Sequence, residues 1–173
     1  EHPPRLRAKE RQAATAGEAG TVCRALYRGA ESTLIVRWSF SVEALARLKH
    51  LGFTRCGAWL LSPEGKLDLQ LEFSPDGKNV LYAFVSEDEV LYVGKTIQGL
   101  SKRLNGYKRP GATQTTNIRA NAFIREKLRE SRVDIFVWAC DGLMTYAGFR
   151  VDLAAGLEDA IVRDIQPAWN LRK

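Results

Sequence analysis

Histidine and cysteine are both scarce in this chain of 173 residues. Its two histidines, His2 and His50, leave little material for a zinc site or a Ser-His-Asp arrangement. The three cysteines, Cys23, Cys56 and Cys140, are odd in number, far apart and outside any metal-ligand spacing. They fit reduced thiols better than a disulfide framework. The sequence therefore gives poor support to zinc chemistry, histidine-based catalysis and a disulfide-stapled fold.

Long apolar runs and targeting signals are missing as well. No run approaches the roughly 20 apolar residues that cross a bilayer, and no signal-peptide pattern is visible. The apolar fraction of 45% is nonetheless that of a globular protein with a core. We therefore expect a cytoplasmic globular protein without a membrane partner.

Positive charge is what the chain has in excess. The net charge is +6 and the isoelectric point is near 9.4, which favours polyanions as partners. The excess is concentrated between Lys95 and Arg132, where ten lysines or arginines face two acids, Glu126 and Glu130. A basic block inside an otherwise balanced chain predicts a surface for nucleic acid.

The first half of the chain contains strand and turn patterns but no chemical motif. Apolar and polar residues alternate over 67–73, which is typical of a half-buried strand. Strands are also predicted over 34–40 and 53–61, with a helix over 42–52 between them. Turn-forming residues at 74–78 mark the best candidate for a boundary. We therefore expect an arm over 1–20, an α/β module over 21–78 and a C-terminal domain over 79–173.

The second half opens with two β-prone runs separated by a short acidic link, which predicts a hairpin over 80–93. Gly94 is expected to let the chain leave the second strand. Helices are predicted over 97–107 and 117–132, a strand over 133–138, a loop over 141–150 and a helix from 153. On the second helix, four apolar residues are expected to face inward: Ile118, Ala122, Ile124 and Leu128.

Chemically useful side chains lie on this hairpin and in the helices predicted after it. Tyr82 and Tyr92 are ten residues apart on its two strands, and Tyr107 comes one helical turn after Arg103. The same stretch reads Val-Leu-Tyr over 80–82 and Tyr-Val-Gly-Lys over 92–95. Far downstream, Glu158 lies in the last predicted helix and a Gln-Pro-x-x-Asn sequence ends at 170.

Together these residues resemble the signature of the GIY-YIG nuclease superfamily, over about 80–170. The Lys, Arg and Tyr spacing is similar to the N-terminal nuclease domain of the excision-repair protein UvrC. The first element departs from the pattern, since Val80 and Leu81 stand where the family has Gly and Ile. The resemblance implies an α+β fold, with a small antiparallel sheet flanked by helices in the order β-β-α-α-β-α and an N-terminal α/β elaboration.

The resemblance also implies catalytic roles. Glu158 would bind Mg²⁺, with Mn²⁺ as a substitute, and Arg103 would brace the scissile phosphate. Tyr82 is the candidate general base, with Lys95 as a nearby positive charge that favours its phenolate. Tyr92 and Tyr107 would hydrogen-bond the nucleophile or the phosphate, and Asn170 would orient the strand or the helix that carries the glutamate. Which of the three tyrosines accepts the proton stays open.

Eight polar or basic residues around the predicted helices are candidates for binding DNA: Lys102, Lys108, Arg109, Thr115, Thr116, Asn117, Arg119 and Arg125. The short chain and the family pattern predict a Mg²⁺-dependent endonuclease of the type II restriction kind in the bacterial cytoplasm. It would act on double-stranded DNA as a homodimer and have no small-molecule substrate. The 21–78 module would either select DNA sequence or shape, or serve as a scaffold or dimerisation element.

Two other functions stay open. One is a structure-specific, repair or mobile-element nuclease of the same superfamily, which would ignore sequence and respond to DNA structure. The other is a DNA-binding module without catalysis. The presence of the tyrosines, the arginine and the glutamate favours an enzyme.

Overall fold

The computed structural model describes residues 42–75, 77, 79–139 and 143–170. The predicted arm over 1–20 and the predicted strand over 34–40 lie outside the described residues. Within the described ranges, no helix combines the length and the apolar character that crossing a bilayer requires.

A five-stranded antiparallel sheet forms the centre of the fold. Its strands are β1 (Thr54–Leu61), β2 (Leu67–Leu71), β3 (Val80–Ser86), β4 (Glu89–Thr96) and β5 (Val133–Ala139). They lie in the order β2-β1-β5-β3-β4. β3 is buried along its whole length, because β4 and β5 cover its edges and helices cover both faces. The strands predicted over 53–61 and 67–73 are confirmed, with β2 ending two residues earlier than expected.

The hairpin of β3 and β4 is also confirmed. Its turn consists of Glu87 and Asp88, whose φ angles of 50° and 64° suit the two-residue turns that match strand twist. The expectation that the chain leaves the strand at Gly94 is wrong. β4 continues to Thr96, and Gly94 pairs with Tyr82 across the hairpin.

Within the described ranges, four helices accompany the sheet: α1 (42–51), α2 (Leu100–Lys108), α3 (Thr115–Lys127) and α4 (Leu153–Ile165). α2 begins later than predicted, since Gly99 precedes it with a φ of 86° that is not helical. The predicted loop over 141–150 is wrong in part. Two four-residue strands, β6 (Leu143–Tyr146) and β7 (Phe149–Asp152), form a separate hairpin there.

The helices cover the two faces of the sheet in pairs. Side chains alternate along a strand, so Tyr82 and Phe84 of β3 lie on the face that packs against α2 and α3. Leu81 and Ala83 lie on the opposite face, which packs against α1 and α4. The α+β prediction and the order β-β-α-α-β-α from β3 to α4 are confirmed, with the β6–β7 hairpin inserted before the last helix.

The two described strands of the predicted N-terminal module, β1 and β2, belong to the same sheet. β1 pairs with β5 from Thr54 opposite Val137 to Trp59 opposite Val133, and β2 pairs with β1. This part of the chain therefore extends the central sheet at the edge away from β4. The division into domains at residue 78 stays a prediction.

Candidate active site

Three phenols and one guanidinium group meet on the face of the sheet that packs against α2. Tyr82 comes from β3, Tyr92 from β4, and Arg103 and Tyr107 from α2. The hydroxyl oxygens of Tyr82 and Tyr107 are 2.7 Å apart, and those of Tyr107 and Tyr92 are 3.2 Å apart. Arg103 donates from Nε to the Tyr82 oxygen at 3.0 Å and from Nη2 to the Tyr107 oxygen at 2.5 Å. Four of the seven predicted catalytic residues are therefore in direct contact.

The hydroxyl groups can be given a direction by counting protons. Each phenol has one proton to donate, and Tyr107 donates its proton to Tyr92. Tyr82 must then donate to Tyr107. The cluster thus runs from Arg103 through Tyr82 and Tyr107 to the hydroxyl of Tyr92.

The three tyrosines differ in burial. Tyr82 and Tyr107 are completely buried, whereas Tyr92 is partly exposed. Burial, together with the neighbouring phenols, raises the pKa of Tyr82 and of Tyr107 well above the usual value for a phenol, although Arg103 opposes this rise. Both hydroxyls therefore stay protonated at neutral pH. The structure favours a hydrogen-bond donor over a phenolate at Tyr82.

Gly94 allows this cluster to form. A Cβ atom at this position would lie 2.8 Å from the Tyr82 hydroxyl oxygen and 2.9 Å from Cε1 of Tyr92. The two rings thus approach the backbone of β4 at a point where only glycine leaves enough room.

Lys95 lies on the opposite face of the sheet from the tyrosines. Its ammonium group donates to Asp152 at 3.1 Å, and Asp152 also accepts from the backbone N–H of Ala155 as the N-cap of α4. The Ala155 N–H, and then the Lys95 ammonium, hold the pKa of Asp152 below its usual value, although burial opposes this. Lys95 therefore anchors the start of α4 and does not provide the positive charge beside Tyr82 that was expected.

Glu158 and Asn170 approach from the C-terminal part of the chain. Glu158 is half-buried on α4, the helix that Lys95 and Asp152 anchor. The Asn170 side chain pairs with the backbone of Val93, accepting from its N–H at 2.9 Å and donating to its C=O at 2.8 Å. Asn170 therefore holds the C-terminal segment against β4, between Tyr92 and Gly94.

The eight candidate DNA-binding residues divide into an exposed and an engaged group. Five are exposed: Lys102, Arg109, Thr115, Thr116 and Arg125. Three are engaged within the protein: Lys108 pairs with Asp68, Arg119 contacts the carbonyl of Trp169, and Asn117 bonds to Arg103. The five exposed residues are therefore the ones that a polyanion can contact.

The face of α3 that points inward differs from the expectation. Asn117, Ala120 and Ile124 are buried, whereas Ile118 is 42% exposed and Ala122 is exposed too. The buried face includes Asn117 because its amide bonds to Arg103, and a search for apolar spacing cannot find such a residue. Gln114, which bonds to Asn117, was missed because it is exposed before α3 and its position in the sequence does not indicate this contact.

Comparison with known proteins assigns the chain to a family. The chain is 31% identical to Endonuclease II of Enterobacteria phage T4 over 109 residues, which span 57% of this chain and 76% of the phage protein. A solved structure of a bacteriophage T4 EndoII mutant matches with a TM-score of 0.56 and 27% identity, over 71% of this chain and 95% of that one. The chain belongs to the GIY-YIG nucleases.

Other comparisons add little to this assignment. No family model matches this chain. The restriction endonuclease Hpy188I in complex with product DNA matches with a TM-score of 0.41 and 14% identity, over 65% of this chain and 72% of that one. This likeness is too low to support an argument.

Proposed function

We propose that this nuclease is a divalent-metal-dependent DNA endonuclease whose phosphate-binding group is Arg103. One observation carries the proposal. Every described hydrogen-bond partner of Arg103 is neutral, namely Tyr82, Tyr107 and Asn117, and no described ion pair involves this residue. A half-buried guanidinium without a carboxylate partner carries a positive charge that the described residues do not neutralise, and it can therefore bind an anion.

The number of donors on Arg103 fits a phosphate. A guanidinium has five N–H donors, and three of them bond to Tyr82, Tyr107 and Asn117. One N–H on each terminal nitrogen remains, and this pair suits two oxygens of one phosphate. Charge that is held in place before the reaction stabilises the negative charge that develops on the phosphate.

We assign Tyr92 to the nucleophile side of the reaction. Its hydroxyl is the outer end of the chain of phenols, and it is the partly exposed one of the three. A hydroxyl in this position can bond the attacking water or a phosphate oxygen. Tyr82 and Tyr107 then act as supports that hold Arg103 and Tyr92 in place.

Glu158 is the carboxylate we assign to a divalent ion, in keeping with the expected Mg²⁺ or Mn²⁺. Asp152, by contrast, already accepts from the Ala155 N–H and from Lys95 as the N-cap of α4. The described residues hold no cluster of three histidine, cysteine or acidic side chains. A single carboxylate fits Mg²⁺, which keeps several waters and takes few protein ligands. When bound, such an ion supplies Lewis-acid polarisation of the phosphate.

Double-stranded DNA is the substrate we propose, cut at specific sites in the manner of a type II restriction enzyme. The net charge of +6 and the exposed basic residues on α2 and α3 support a polyanion with a regular backbone. Cutting both strands at equivalent positions would require two active sites. We therefore propose a homodimer on DNA, which light scattering with and without a duplex would test.

The decisive experiment is digestion of mixed-sequence DNA with Mg²⁺, with Mn²⁺ and with EDTA, followed by sequencing of the ends. We expect discrete fragments with metal and none with EDTA. Glu158→Gln should lose cleavage and keep DNA binding, whereas Asp159→Asn, the exposed neighbour on α4, should cut normally. Fragments without a shared end sequence would favour a structure-specific nuclease. Failure to cut with any divalent ion would favour a binding module.

A further inference from the structure

The amide of Asn117 connects the arginine of the active site to the loop before α3. Its Oδ1 accepts from Nη1 of Arg103 at 3.0 Å, and its Nδ2 donates to Oε1 of Gln114 at 2.9 Å. The same Gln114 oxygen accepts from the backbone N–H of Gly111 at 3.1 Å. Asn117 is 7% exposed, which is unusual for an asparagine in the first turn of a helix that follows a polar loop.

Neighbouring backbone also restricts this amide. A Cβ atom at Gly106 of α2 would lie 3.3 Å from Nδ2 of Asn117, so the side chain packs closely against α2. Because Nδ2 is committed to Gln114, the oxygen must face Arg103. The side chain is therefore held in one orientation from three directions.

The two phenols hold one edge of the Arg103 guanidinium, through Nε and Nη2. Asn117 holds the other terminal nitrogen, Nη1. Without this third bond, the guanidinium could tilt about the line through Tyr82 and Tyr107. The two N–H groups left for the phosphate would then lose their direction, although the charge would remain.

We propose that Asn117 is a positioning residue for the nuclease reaction, which fixes the plane of the Arg103 guanidinium against the scissile phosphate. Gln114 makes this restraint depend on the conformation of the loop over 109–114. The proposal rests on the phosphate-binding role of Arg103 given above. Asn117 touches no substrate in this assignment and acts entirely through Arg103.

Asn121 provides a matched control. It is also an asparagine on α3 that bonds to α2, donating from Nδ2 to the carbonyl of Tyr107 at 2.8 Å, and none of its described hydrogen bonds goes to Arg103. Asn117→Ala and Asn121→Ala should therefore lower thermal stability to a similar degree. Only Asn117→Ala should lower the single-turnover cleavage rate at saturating enzyme, by about 10- to 100-fold, as expected for a misplaced catalytic group.

The affinity for uncleaved duplex, measured in EDTA, should change little in either variant, because the charge of Arg103 is kept. Equal cleavage rates for the two variants, at a temperature where circular dichroism shows both to be folded, would overturn the proposal. If Asn117→Ala does not fold, Gln114→Leu on the exposed loop takes its place. This variant should lose part of the cleavage rate, and an unchanged rate would reject the link.

A second measurement does not depend on cleavage. The Arg103 Nε–H signal in a ¹⁵N spectrum, assigned by its loss in Arg103→Lys, should broaden or exchange faster in Asn117→Ala and stay unchanged in Asn121→Ala. An unchanged signal in both variants would refute the positioning role. Absence of cleavage by the wild-type enzyme would instead refute the proposed function, so the two failures are distinguishable.

Discussion

Replacement of Gly94 by alanine is the sharpest test of the site geometry. The new methyl group would lie 2.8 Å from the Tyr82 hydroxyl oxygen and 2.9 Å from both Cζ of Tyr82 and Cε1 of Tyr92. Ordinary contacts between such atoms are about 3.5 Å or longer. Tyr82 cannot easily move away, because its hydroxyl is held by Arg103 and Tyr107.

The expected cost is that of overpacking a rigid core, about 1–3 kcal/mol in the free energy of unfolding. For a domain of this size, each kcal/mol shifts the melting temperature by about 2–4 °C, so calorimetry should show a decrease of about 2–12 °C. The cleavage rate should fall further than the loss of stability explains, because both phenols move relative to Arg103.

Gly156→Ala is the matched control, since it lies within α4 and has open space around its Cα. Alanine there should stabilise the protein by about 0.5–1 kcal/mol, because glycine is the poorer helix former. Opposite signs for the two glycine replacements are therefore expected. A Gly94→Ala protein that melts and cuts like the wild type would refute the close approach of Tyr82 to β4.

Two further predictions follow from the burial of the tyrosines. Tyr92→Phe should lower the cleavage rate, measured in gel assays, more than Tyr82→Phe does. Tyr82→Phe should lower the melting temperature, measured by calorimetry, more than Tyr92→Phe does. The reverse order in both measurements would contradict the proposed direction of the chain of hydroxyl groups. Because the pKa values of Tyr82 and Tyr107 are raised in the folded protein, the unfolded chain releases these protons first as pH increases. The free energy of unfolding should therefore fall above about pH 10 and be unaffected below it, which urea unfolding from about pH 8 to about pH 11 would show. A Tyr82→Phe protein with the same slope as the wild type would argue against this cause.

Local patterns predicted most of the elements that carry the site. The hairpin of β3 and β4 and the helices α2, α3 and α4 follow from periodicity and turn residues, which act over short distances in sequence. The order of the strands does not follow in this way. It depends on pairs such as Thr54 with Val137, and nothing local in either strand specifies the other.

Lys95 shows how one boundary error changes a functional assignment. A strand that ended at Gly94 would leave Lys95 free to turn toward the tyrosines. Since β4 continues to Thr96, the alternation of side chains places Lys95 three residues after Tyr92 and hence on the other face. The ion pair with Asp152 follows from that placement. Asn117 was predicted as a candidate for binding DNA, but its bond to Arg103 could not be predicted, because a buried amide interrupts the apolar pattern from which buried faces are predicted.

The three phenols differ in burial, which their sequence positions do not predict. Tyr82 and Tyr107 are completely buried, and burial raises the pKa of both phenols, which disfavours their phenolate forms. They can still donate and accept hydrogen bonds, and both accept from Arg103, which takes part in no described ion pair. Tyr92 is the phenol that both contacts this cluster and reaches the surface. If one tyrosine handles the attacking water, the structure therefore favours Tyr92, and the inner pair determines where that hydroxyl and the guanidinium point.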